Sequence, residues 1–167
     1  MESCTAPSNG EYVTSECASG DISTIGSDTG ISSCGLPATG EFVEARCTPG
    51  TIDSIGLNTN ILDCDVPGEG EYTAATCVNG YASVPGANTI VSDCTLPGDN
   101  EYVLAECTSG NERILGVNTS VATCDEPRAG DYLVSACRPG DINAKGDNIQ
   151  FIQCPIGKRT NISPLPY

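Results

Sequence analysis

Apolar side chains along this chain come in twos and threes between Gly, Pro, Asn and Ser, and no stretch of ten residues carries them at a 3.6-residue rhythm. Helices are therefore not expected. Two short segments recur instead, Glu11 to Cys17 and Thr29 to Cys34 with their equivalents further along, each setting aromatic or β-branched residues near a Cys between turn-forming residues. They predict strands. An aromatic follows an acid at Glu11-Tyr12, Glu41-Phe42, Glu71-Tyr72, Glu101-Tyr102 and Asp131-Tyr132, and Ile31, Ile61, Val91, Val121 and Phe151 form a second apolar column.

These columns belong to a strict repeat. Cysteines fall at Cys4, Cys17, Cys34, Cys47, Cys64, Cys77, Cys94, Cys107, Cys124, Cys137 and Cys154, with separations alternating between 13 and 17 residues. The period is 30 residues, run five times without insertion or deletion: 4–33, 34–63, 64–93, 94–123 and 124–153. A stub, 1–3, precedes the repeats, and a partial sixth repeat with a basic tail, 154–167, follows them. Pro recurs at 7, 37, 67, 97 and 127, Gly at 20, 50, 80, 110 and 140 and again at 26, 56, 86, 116 and 146, and Asp28, Asn58, Asn88, Asn118 and Asn148 share a polar column. Loops of free length would drift among copies, whereas stacked units of fixed rise would not. The spacing predicts an all-β, disulfide-rich, elongated solenoid-like rod.

Composition explains why sulfur is needed. Leu, Ile, Val and Phe number 33 of 167 residues, about a fifth of the chain, which is the edge at which charged sequences fail to fold on burial alone. Each repeat offers four or five apolar side chains. At about 1.5–3 kcal/mol each they do not offset the entropy of ordering 30 residues. Closing a loop of about 14 residues contributes roughly 3 kcal/mol per disulfide. Metal thiolate sites want closely paired ligands, and the nearest cysteines here are 13 residues apart. Disulfides imply an oxidising compartment, so the chain is expected to be secreted or at the cell surface.

Three pairings respect the period. Bridging the 13-residue gap joins Cys4 to Cys17 and so on, leaving Cys154; bridging the 17-residue gap joins Cys17 to Cys34 and so on, leaving Cys4. Alternate pairing, Cys4 with Cys34 and Cys17 with Cys47, makes a 60-residue unit although odd and even repeats do not differ. The 13-residue scheme is favoured, with Cys154 as the odd thiol and a candidate for a bond to another chain.

The charge narrows the partners. The chain has 22 acids against 7 bases, a net charge of -15, and a pI near 4.1, which disfavours nucleic acid and anionic lipid. No apolar run approaches a membrane span. Residues 1–110 carry a net -15 and residues 111–167 a net zero, so the basic tail with Lys158, Arg159 and Tyr167 is expected to meet the acidic start of another copy, head to tail. With no His, Ser-His-Asp and Cys-His systems lack their central base, and an enzyme is not expected. No cofactor is expected either.

Other candidates are structural or weak. In the acid-aromatic column the ring is expected on the disulfide and the acid in solvent, with a binding ladder as the alternative. Asp63-Cys64-Asp65 and Asp125-Glu126 lack a calcium-loop pattern. Asn118 and Asn161 lie in glycosylation sequons, and the Asn-Thr column could present a threonine array to ice.

Cys4, Gly10, Tyr12 and Cys17, with Asn58-Thr59 ahead of Cys64 as the pattern later in a repeat, resemble tumour-necrosis-factor-receptor-like and ephrin-receptor-like cysteine-rich modules. The C-x2-P opening is also similar to complement-control modules, whose Trp is absent here. The receptor-like families carry further paired cysteines that every repeat lacks, so their full ladder and receptor role do not transfer. Tandem cysteine-rich repeats also resemble protist and algal surface and flagellar-hair, mastigoneme-type, proteins. That resemblance implies a structural subunit of an extracellular filament, appendage or surface coat that self-assembles. The alternative is an adhesin or receptor-like stalk presenting its surface to a protein or glycan.

Overall fold

The computed structural model describes residues 3–153. They form ten strands and no helix: β1 Glu11–Ser15, β2 Gly30–Ser33, β3 Glu41–Ala45, β4 Asn60–Asp63, β5 Glu71–Ala75, β6 Ile90–Asp93, β7 Glu101–Ala105, β8 Ser120–Thr123, β9 Asp131–Ser135 and β10 Gln150–Gln153. Each 30-residue repeat yields one antiparallel two-stranded sheet. The chain divides into two compact units, one running through Asp93 and including Thr108–Val117, the other comprising Cys94–Cys107 and the segment from Asn118 onward.

Every hairpin has one register. Glu11 faces Ser33, Tyr12 faces Ser32, Val13 faces Ile31, and a bulge then brings Ser15 opposite Gly30. The same pairing recurs in the other four repeats. The two apolar columns of the sequence are thus cross-strand neighbours, the unit of sheet stabilisation. Both strands are shorter than expected. The first ends at Ser15 because, past the bulge, the Cys17 N–H leaves the ladder for the Ile52 carbonyl, at 2.9 Å. The second starts at Gly30 because the Thr29 N–H is taken by Asp28 Oδ1, at 2.8 Å.

The loop between paired strands has its own ladder. Ala18 bridges Ser27, Thr48 bridges Leu57, Val78 bridges Ala87, Thr108 bridges Val117 and Arg138 bridges Asp147. In each of the last four loops a second bridge lies inside the first, as Thr51 with Ser54. Gly56 is required here because a Cβ would fall on the Thr48 and Pro49 carbonyl oxygens.

Each of the first four hairpins bonds to the loop of the following repeat. The Val13 N–H donates to the Pro49 carbonyl and the Gly56 N–H donates to the Val13 carbonyl, both at 2.9 Å. Val43 does the same with Asn79 and Gly86, and Thr73 with Ser109 and Gly116. In the second unit Val103 repeats the pattern with Pro139 and Gly146. Both arms of the loop thereby bond the outer edge of the hairpin at one central residue. Val13, Val43, Thr73 and Val103 are accordingly 0% exposed.

The core is narrow and includes hydroxyls. Thr29, Thr59, Thr73, Thr89 and Thr119 are buried with no hydrogen-bond partner for Oγ1 among the described residues. A buried unpaired hydroxyl costs about 1–3 kcal/mol. Thr73 occupies the place held by Val13, Val43 and Val103, so a methyl of the same shape already fits three times. Thr73→Val is expected to stabilise the fold by about 1–2 kcal/mol. Urea unfolding should show the midpoint rising with an unchanged slope.

Candidate functional site

The cysteines form five bridges 13 residues apart: Cys4–Cys17, Cys34–Cys47, Cys64–Cys77, Cys94–Cys107 and Cys124–Cys137. Their Cα atoms lie 6.0–6.1 Å apart, within the usual range for a disulfide. Each ties the entry of a repeat to the residue just beyond its first strand. Cys154 lies outside the described residues, as do Lys158, Arg159, Tyr167 and Asn161. Five disulfides suit an oxidising, extracellular environment. No helix among the described residues is long and apolar enough to cross a membrane.

The acid column closes a turn instead of facing solvent freely. The Glu11 carboxylate accepts from the Ser8 N–H at 2.9 Å, while the Glu11 N–H donates to the Ser8 carbonyl at 3.1 Å. Glu41, Glu71, Glu101 and Asp131 repeat the clamp on Ala38, Gly68, Gly98 and Arg128. The residue before the acid adopts a left-handed conformation, Gly10 at φ 83° and, in the fourth repeat, Asn100 at φ 60°. Asn is the side chain that tolerates this region best after Gly. The aromatic neighbours range from buried Phe42 to exposed Tyr132.

The Asp/Asn column ties the end of each loop back to the residue after the first Cys. Asn58 Oδ1 accepts from the Gly35 N–H at 2.9 Å and from the Thr59 N–H at 2.8 Å. Asp28, Asn88, Asn118 and Asn148 hold the N–H groups of Thr5, Asp65, Thr95 and Asp125 in the same way. The amide of Asn118, the candidate glycan site, is thus engaged with Thr95 through both its oxygen and its nitrogen. The threonine column offers no surface to ice: Thr29, Thr59, Thr89 and Thr119 are only 5–8% exposed.

One carboxylate stands out electrostatically. Asp21 lies in the first loop, where the Ser23 N–H and hydroxyl, then Thr24, donate to its carboxylate and lower its pKa from 3.8 to about 2. Asp28 is also lowered, chiefly by the Thr5 hydroxyl and then the Thr5 N–H. Asp21 closes a local turn, whereas Asp28 bonds to Thr5 across 23 residues. No group of three or more His, Cys, Asp or Glu that could hold a metal occurs among the described residues. Among the described residues, an open groove is lined by Leu36, Pro37, Val78, Tyr81, Val84 and Pro85.

Comparison with family models, with curated proteins and with solved structures finds no match.

The features that sequence reasoning missed are the loop ladder and its docking on the preceding hairpin. Their only trace in the sequence was the invariant Gly column at 26, 56, 86, 116 and 146, a mark of close backbone approach.

Two outcomes are expected. Replacing Cys64 and Cys77 together by Ser should destabilise the chain by about 3 kcal/mol, the chain-entropy value for a loop of this length. Thermal or denaturant unfolding reads this directly. The folded pKa of Asp21 is below its unfolded value, so its stabilising contribution is present above about pH 4 and is lost as pH falls towards 2. The melting temperature should decline across that window, and Asp21→Asn should flatten part of the decline.

Proposed function

We propose that this chain is a structural subunit of an extracellular filament, appendage or surface coat, in which the repeats stack into one stiff, solenoid-like rod with no catalytic role. The observation that carries this reading is the backbone bonding of hairpin to following loop, repeated on one pattern and accompanied by a disulfide in every repeat. Stacked repeats of this kind gain stiffness from neighbour contacts and expose long surfaces to partners.

A second feature supports assembly. Leu36, Val66 and Leu96 occupy the same place in consecutive repeats and are 64–70% exposed. One exposed apolar side chain per repeat at an equivalent position would give a partner the same contact in each of these three repeats. An adhesin or receptor-like stalk would use the same positions on a protein or glycan, and it is the second reading.

Small-angle scattering and size analysis of the purified chain test the proposal. We expect a maximum dimension well above that of a globular protein of 17.2 kDa, together with species larger than a monomer. Reduction should abolish both. A globular particle would overturn the rod, and a stable elongated monomer at every concentration would favour the stalk.

A further inference from the structure

The two ends of the repeat series carry complementary halves of the bonding pattern that joins neighbouring repeats. At the last hairpin, β9 and β10 hold the same register as the others, with Leu133 opposite Phe151. Leu133 takes the place of Val13, Val43, Thr73 and Val103, whose N–H and carbonyl groups both reach the following loop. Among the described residues, the Leu133 N–H and carbonyl and the Cys137 N–H have no such partner. Leu133 is 52% exposed where its four equivalents are fully buried.

At the other end, no hairpin among the described residues precedes the first loop. Its Ser19 and Ile22 carbonyls and Gly26 N–H correspond to Pro49, Ile52 and Gly56, yet no described residue bonds them. Ile22 is fully exposed, while Ile52, Ala82, Glu112 and Ile142 in its column are partly covered. Gly26 is exposed where Gly56 is buried. The two donors and one acceptor at the β9 edge therefore match two acceptors and one donor on the first loop, in the order the chain satisfies four times internally.

We propose that the first loop of a second copy of this chain docks along the β9 edge. The Leu133 N–H would donate to Ser19, the Cys137 N–H to Ile22, and the Leu133 carbonyl would accept from Gly26. Leu133 and Ile22 become covered as their equivalents are. The contact is heterologous, so it leaves one free loop and one free edge at the ends and propagates. This inference rests on the filament reading and specifies the joint within it.

The test uses the 167-residue chain in three forms: unaltered, Leu133→Arg and Ile22→Arg. Both sites are exposed in the single copy, and unchanged circular dichroism and melting temperature check that each variant folds. Sedimentation velocity should show concentration-dependent oligomers for the unaltered chain and monomers for either variant alone. An equimolar mixture should yield dimers that grow no further, because one intact edge meets one intact loop and the other ends are blocked. Amide exchange at Leu133, Cys137 and Gly26 should slow at least tenfold on assembly. Oligomers that persist in both variants overturn this joint and leave the filament reading standing. An unaltered chain that stays monomeric overturns both, whether residues 154–167, a further repeat or nothing covers the edge.

Discussion

The cystine that closes each repeat is the constraint on which the rest depends. Cys17 is bonded through sulfur back to Cys4 and through its N–H forward to the Ile52 carbonyl of the next repeat. One residue thus fixes the start of its own repeat and the seat of its neighbour. A hairpin alone is marginal in water, and a third strand or a packing partner is what makes it persist. The following loop supplies that packing partner through its backbone bonds to the residues at positions 13 and 17 and their equivalents.

Side-chain to backbone bonds do much of the work that a core does elsewhere. The acid at position 11 and its equivalents clamp the turn into the first strand, and the Asp/Asn column pins the end of the loop to the residue after the first Cys. These bonds stay within one repeat and recur from copy to copy, so they hold a repeat of few apolar residues to one conformation. The fully buried side chains, by contrast, are covered by the next repeat. Stability then depends on each repeat together with the bonds it makes to the next one.

Such an array favours one kind of function over another. Catalysis needs a concave place where unlike groups converge, and binding pockets are few and singular for the same reason. A strict repeat multiplies one surface instead. Under the proposed structural role, what such a repeat offers is the presentation of equivalent contacts.

The recurrence of one unit and the approximate positions of its strands were legible in the chain, because a 30-residue period with fixed spacing leaves few ways to place five copies alike. The cysteine pairing was narrowed to three schemes with the 13-residue one favoured, and the strand register came only with the fold. Strand ends were not legible, since Ser15 and Gly30 are boundaries only because Cys17 and Thr29 give their N–H groups to the next loop and to Asp28. Nor was the role of the Glu column, whose carboxylate looks like any solvent-facing acid until the turn brings the Ser8 N–H to it. Burial of Val13 but not Leu133, chemically alike in sequence, was decided wholly by tertiary structure. Periodicity is a property of the chain and can be counted; which face meets a neighbour depends on groups some 40 residues apart, and only folding brings them together.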